Sequence, residues 1–293
     1  MSGSEEKTSR RALSALRHDP LAVTGSLVLL LLVVVGVGGA WLAPSGVNEV
    51  DVDRMLQPPS WSHPFGTDEL GRDVLSRVLV ATRVSLQVGV VSVGIALVAG
   101  VTLGLLAGYY RGWLDNLLMR CMDVLFAFPV LLLAVAIVAV LGPGLLTAMI
   151  AIGVVYTPIF ARVTRSGVLS VREQVFVRAA VSIGASDLRI MRRHVLPNVA
   201  APLIVQTSLS LAFAILSEAA LSFLGLGVQP PAPAWGRMLY DGRGFVTEAW
   251  WLGVFPGTAI FLTVLAFNLV GDALRDVLDP RQLTIGEARR NAG

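Results

Sequence analysis

Residues 124–161 read VLFAFPVLLLAVAIVAVLGPGLLTAMIAIGVVYTPIFA, with no Asp, Glu, Lys or Arg anywhere in the stretch. A helix crosses a bilayer core with roughly 20 apolar residues, so this stretch is long enough for two crossings. Gly142-Pro143-Gly144 stands near its middle and is a strong turn signal. Two membrane helices joined by a very short connection are therefore predicted. Working outward, further stretches free of charged residues cover 20–48, with a solid apolar block at 21–43, then 84–110, 194–217 and 249–271. Six spans result.

Composition agrees. Of the 293 residues, 55% are hydrophobic and only 15% charged, and the mean hydropathy is +0.72. A water-soluble domain carries about 25% charged residues, so an ordinary water-facing surface is excluded, and so is intrinsic disorder. One cysteine, Cys121, excludes a disulfide-rich fold. The net charge of +3 is too small to argue for nucleic acid. His18, His63 and His194 lie far apart, with no metal-ligand spacing around them. Lys7 is the only lysine and follows no glycine-rich turn, so a Walker phosphate loop is absent.

Arginine placement sets the expected orientation. Lys7, Arg10, Arg11 and Arg17 precede the first span, and Arg111 and Arg120 follow the second. Seven arginines lie between spans four and five: Arg162, Arg165, Arg172, Arg178, Arg189, Arg192 and Arg193. Arg275, Arg281, Arg289 and Arg290 follow the sixth. Six spans put all of these on one side, the cytoplasm, with both termini. The first span is expected to be a retained anchor, because its apolar block exceeds the 7–15 residues typical of a signal peptide. The expected organisation is a cytoplasmic tail at 1–19, a first helix at 20–43 and an extracytoplasmic segment at 44–82. A five-helix core follows at 83–272, with a cytoplasmic loop at 164–197 inside it, then a tail at 273–293.

Both long connections exceed what simple links need. In the inner one, 174–182 is a compact helix-forming stretch, and Gly184 stands where a helix C-terminal glycine belongs. Ser186 and Asp187 supply an N-cap for a second short helix over LRIMRRH, which Leu196-Pro197 ends. The small residues Ala179, Ala180, Gly184 and Ala185 let a partner approach closely; alternatively the helix rests on lipid headgroups, held by its arginines. In the outer connection, Asp68, Arg72 and Asp73 pair with one another or cap the helix beginning near Leu70, fixing the loop to the bundle.

Two features of the spans themselves stand out. Glu218 is an ionisable residue near the end of the fifth span, a functional candidate by default. It lines a pathway, bonds a neighbouring helix during opening, or sits at the interface where a carboxylate costs little. Gly100, Gly104 and Gly108 recur at four-residue spacing in span two and point to close helix packing. Pro129 and Pro158 sit inside spans three and four and shape the cavity or the packing.

VRAAVSIGAS (177–186) followed by RRHVLPN (192–198) resembles the cytoplasmic loop of binding-protein-dependent ABC importer permeases. Ala179-Ala180, Gly184 and the Leu-Pro close match in spacing, and Arg178 replaces the Glu of the pattern. HPFGTDELGRDVLSRVLVATRVSL (63–86), SEAALSFLGLGVQPPAPAWGRML (217–239) and NLVGDALRDVLDPR (268–281) resemble the dipeptide, oligopeptide and nickel branch. The short region before the first span suits its C-type subunit. The resemblance covers about 14–282. It implies an all-α integral membrane protein with the type I ABC importer permease fold, in a bacterial cytoplasmic membrane. It further implies an ATPase-coupling loop containing Val177, Arg178, Ala179, Ala180, Gly184, Ala185 and Ser186, with Glu218 as pathway or gate candidate. No cofactor is implied. Implied partners are a second permease subunit, two ATP-binding subunits and an extracytoplasmic substrate-binding protein. The implied cargo is short peptides, with nickel chelates or other small solutes as the alternative. An ion-coupled secondary transporter or a membrane enzyme fits less well, since the spans hold no central charge and no converging catalytic groups.

Overall fold

The structure, a computed structural model, describes residues 19–278. The tail residues before 19 and after 278, with Lys7, Arg10, Arg11, Arg17, Arg281, Arg289 and Arg290, lie outside the described residues. The described chain is helical, with one isolated bridge, Thr67 to Asp73. Its elements are α1 (Pro20–Leu42), α2 (Val74–Tyr110), α3 (Gly112–Phe126), α4 (Val130–Leu141), α5 (Leu145–Arg172), α6 (Val175–Ser182), α7 (Asp187–Ile190), α8 (Leu196–Phe223), α9 (Trp235–Gly242) and α10 (Trp251–Leu278).

Among the described residues, five helical segments are long and apolar enough to cross a bilayer: α1, α2, α5, the run from Asp187 to Phe223, and α10. The expected third span is divided. α3 and α4 meet at 92°, and they count as a sixth crossing only when the bent pair is taken as one. Pro129 is the cause: it donates no backbone hydrogen bond and disfavours helix at Phe128. The 12 residues of α4 reach about 18 Å, short of a core about 30 Å thick. Gly142, at φ +91°, makes the turn into α5, as the Gly-Pro-Gly reading requires.

Two other boundaries move. α2 begins at Val74, inside the segment 44–82 expected outside the membrane and just after the helix start expected near Leu70, because Asp73 accepts the Ser76 N–H at 2.8 Å and caps it. Leu196-Pro197 does not end the short helix before it. A π turn at Met191–Val195 carries the helical backbone from α7 into α8. The wider turn accommodates Pro197, which cannot donate to the carbonyl four residues back.

The bundle is organised around α2 and α5, its most extensive helix pair. Gly100, Gly104 and Gly108 form the contact. A Cβ at 100 would lie 2.5 Å from Phe160 Cβ, one at 104 would lie 2.5 Å from Ala161 O, and one at 108 would lie 2.8 Å from Val168 Cβ. The backbones therefore touch along this line, as the four-residue spacing predicts. α1 is apolar on all sides and buries only Ala22, Gly25, Gly36 and Gly39. Gly25 meets Leu269 of α10, and Gly39 meets Leu79 of α2. α8 packs against α2, α5 and α10.

Gly104→Leu is expected to destabilise the bundle by about 1–3 kcal/mol through overpacking. Gly94→Leu, where a Cβ has open space, should be close to neutral. Thermal unfolding of the two variants in detergent compares them directly.

Candidate functional site

The arginine-rich end carries the loop between α5 and α8. α6 buries only Val177 and Ala180. These join Tyr109, Val168, Ile190, Met191 and Val195 in one apolar cluster. Burial of every third residue leaves Arg178, Ala179 and Val181 exposed, with Ile183 and Gly184 beyond them; Ala185 is half-buried. Gly184 has φ +79°. The Ala185 N–H donates to Ala180 O at 3.1 Å and the Gly184 N–H to Val181 O at 2.9 Å, the paired bonds that close a helix on a left-handed residue. Nothing crowds a Cβ at this position. The glycine is thus required by the backbone and not by packing. Ser186 precedes α7 at the N-cap position, but its side chain makes no capping bond.

Polar contacts tie this end together. The Tyr109 hydroxyl donates to Asp187 Oδ1 at 2.8 Å. Arg172 donates to the Tyr109 carbonyl, and its guanidinium stands 5.3 Å from the ring centroid. Arg165 binds Asp115 with two bonds of 2.5 and 2.6 Å, and Arg162 binds Asp123 at 2.7 Å, so α3 is strapped to α5. Arg111 holds Glu173 at 2.6 Å, which lowers the Glu173 carboxyl below its ordinary range.

Toward the opposite end of α8, Glu218 is 1% exposed. Its Oε1 accepts from the Ser222 hydroxyl at 2.7 Å, and Ser222 Oγ accepts the Val228 N–H at 3.1 Å. Glu218 Oε2 is buried without a partner; Ser85 of α2 lies beside it, and its hydroxyl is also unpaired. Glu218 thus reaches the segment after α8 through Ser222. An open groove of about 620 Å³ lies between α2 and α8, walled by residues such as Leu97, Val101, Leu105, Ala200, Leu203 and Thr207.

The segment between α1 and α2 is a folded cap. Phe65 stacks on Phe255 of α10 at 3.8 Å, and the Trp251 indole donates to Thr67 O at 3.0 Å. Arg72 pairs with Asp68 at 2.7 Å. His63 Nδ1 lies 3.0 Å from Asp73 Oδ1 and Nε2 lies 3.2 Å from Arg54 Nη1. A guanidinium only donates, so Nε2 accepts and the proton sits on Nδ1, facing Asp73. These charged residues anchor the loop to the bundle, as expected. Glu69 pairs with Arg72 at 3.1 Å, yet burial, followed by the neighbouring Asp68, raises its pKa.

A bundle of apolar helices with a structured loop at one end and a folded cap at the other defines a multi-pass membrane protein. The family model for the inner membrane component of binding-protein-dependent transport systems matches residues 100–284. The N-terminal TM domain of oligopeptide transport permease C matches 8–59. The dipeptide transport system permease protein DppC of Alkalihalophilus pseudofirmus is 48% identical over 93% of this chain and 90% of its own length. The glutathione transport system permease protein GsiD of Escherichia coli O6:K15:H31 is 50% identical over 90% of this chain and 88% of its own. A structure of the MetNI methionine ABC transporter shares the fold, with TM-score 0.58 and 18% identity, over 69% of this chain and 96% of that one. The chain belongs to the binding-protein-dependent transport system inner membrane components, in the dipeptide and oligopeptide branch. It is a permease subunit of an importer.

Sequence reasoning missed Tyr109, whose partner Asp187 lies 78 residues away. It also missed the Arg165–Asp115 and Arg162–Asp123 straps. No periodicity links such pairs, although unusual arginine density between spans four and five is a trace of them.

A raised carboxyl pKa means that the folded state binds the proton more tightly than the unfolded chain, so ionised Glu69 opposes folding at neutral pH. Glu69→Gln is expected to raise the melting temperature at pH 7.5. The advantage should shrink as pH falls through the carboxylate range, which a pH series of thermal melts reads.

Proposed function

We propose that this chain forms half of a translocation path for short peptides and works by alternating access. It pairs with a second, sister permease subunit, two ATP-binding subunits and an extracytoplasmic substrate-binding protein. The similarity to dipeptide and glutathione permeases supports the peptide assignment. The arginine-rich end faces the cytoplasm, by the positive-inside rule, and both termini lie there, in a bacterial cytoplasmic membrane. Residues 164–197 form the coupling loop. The observation that carries this reading is the seating of α6: Val177 and Ala180 are buried, while Arg178, Ala179, Val181, Ile183 and Gly184 are presented outward. Ala185 and Ser186 complete the presented turn. A small, apolar, exposed helix on a fixed seat suits insertion into a groove of an ATP-binding subunit.

Closure of the ATP-binding subunits then displaces the loop, and the spans exchange access between the two sides. The exchange requires ATP and solute to differ in affinity for the two states. Glu218 acts at the outer gate by fixing the segment after α8 through Ser222, without touching the solute.

Purification through a C-terminal tag should recover the sister permease and ATP-binding subunits. Recovery of this chain alone, with transport in vesicles lacking ATP, would overturn the reading. Gly184→Val should release the ATP-binding subunits or abolish ATP-driven uptake, since a left-handed residue costs about 1–2 kcal/mol with a Cβ. Gly184→Asn should be largely tolerated, which separates backbone conformation from size. Glu218→Ala should reduce uptake in an assembled complex, whereas Glu218→Gln, which keeps the acceptor for Ser222, should retain most of it. Equal uptake by wild type and Glu218→Ala would remove Glu218 from the gate.

A further inference from the structure

The coupling loop is attached to the bundle unevenly. At its far end, α7 passes through the π turn into α8 with helical backbone throughout, so a displacement of the loop reaches α8 directly. At its near end, α5 stops at Arg172 and Gln174 is extended, with ψ 147°. This non-helical joint transmits bending poorly. α2 has no covalent connection to the loop at all, yet α2 and α8 are the two walls of the open groove.

Tyr109 bridges that gap. Its hydroxyl donates to Asp187 Oδ1 at 2.8 Å. Among the described residues this is the one side-chain hydrogen bond or ion pair joining 175–195 to a spanning helix other than α8, with which the loop is continuous. Its carbonyl is held by Arg172, the last residue of α5. The ring is 7% exposed, inside the same apolar cluster that seats Val177 and Ala180. Tyr109 is thus gripped from both ends of the loop, one residue beyond Gly108, where α2 touches Val168 of α5.

We infer that Tyr109, through its hydrogen bond to Asp187, is the positioning residue that makes α2 follow the coupling loop, so that α2 and α8 move together when the ATP-binding subunits close. The inference rests on the importer reading above. A tyrosine hydroxyl on a carboxylate is a charge-assisted bond, stronger than a neutral one; the Tyr109 ring holds the donor in place from its buried side, while Asp187 is exposed to water. Without it, the loop still docks through its exposed face and still pulls α8, but α2 is left behind.

The test measures peptide uptake per ATP hydrolysed by the complete complex in proteoliposomes. Tyr109→Phe removes only the hydroxyl and should lower this ratio about tenfold, the scale of one charge-assisted hydrogen bond. Asp187→Ala should do the same, and the double variant should be no worse than either single one. Asp187→Asn keeps an acceptor oxygen and should recover most of the ratio. All four complexes should retain their ATP-binding subunits and hydrolyse ATP. A wild-type ratio in Tyr109→Phe overturns the inference. Loss of the ATP-binding subunits from Tyr109→Phe and Asp187→Ala also overturns it, because the bond then serves docking. If wild type itself recovers no ATP-binding subunits, the importer reading fails and this inference falls with it.

Discussion

The line along which α2 and α5 touch sets the position of every other element. Between lipid-facing helices the hydrophobic effect supplies little, because lipid tails are as apolar as leucine; close van der Waals packing has to supply the attraction. Gly100, Gly104 and Gly108 allow that by bringing the backbone of α2 within contact of Phe160, Ala161, Thr164 and Val168. α1 then leans on α2 through Gly39 and on α10 through Gly25. α8 closes against the same pair, with Gly89 of α2 receiving Ile215. The result is a stiff two-helix spine with other spans hung on it by small residues.

The spine ends in polar contacts at the arginine-rich end. Arg165 and Arg162 of α5 reach Asp115 and Asp123 of α3, and Arg172 reaches the last turn of α2. Each cation sits on a helix that must leave the membrane there, where partial dehydration strengthens the pairing without the full penalty of burial. The opposite end uses a different device. There the cap between α1 and α2 is pinned by aromatic contacts, Phe65 on Phe255 and Trp251 on the Thr67 carbonyl, and by the pairs of Asp68 and Asp73. One end is tied by long side chains between helices, the other by a folded segment.

Much of this is legible in the sequence because the bilayer imposes a length, and uncharged stretches report it. Gly142 and Gly184 are legible for a different reason: each needs a backbone conformation that few residues other than glycine adopt. The misreadings have physical causes too. Arg77 and Arg83 lie on α2, but an uncharged-stretch criterion starts the span only after them, at residue 84. Arg77 is buried because it lies 3.6 Å from Asp68 and donates to Val47 O, contacts from a segment distant in the chain. Pro129 and Pro197 carry the same local signal, yet one ends a helix at a sharp bend and the other sits in a helix that continues. Tertiary packing decides between these outcomes. Tyr109 and Asp187 are ordinary residues until the fold brings them together.

The groove between α2 and α8 is the surface that the proposed path would offer a solute. Its wall is mostly aliphatic, and its hydroxyls are already committed: Thr102 donates to Val98 O at 2.7 Å, Thr207 to Leu203 O at 2.7 Å, and Ser208 to Ile204 O at 3.4 Å. No charged side chain lines it. On the proposed path, a peptide carboxylate or ammonium at this wall would meet no counter-charge and no free donor, only oxygen lone pairs. Such a surface holds a solute weakly, and weak holding favours release after the spans exchange access. It also discriminates little among side chains, because discrimination requires polar groups that are left unpaired by the wrong ligand. The charged groups of this chain are spent on fastening its two ends. Under the proposed function, this chain contributes a neutral wall whose two sides move together, and that places the demand for precision on the joints between α2, α8 and the loop rather than on contacts with the solute.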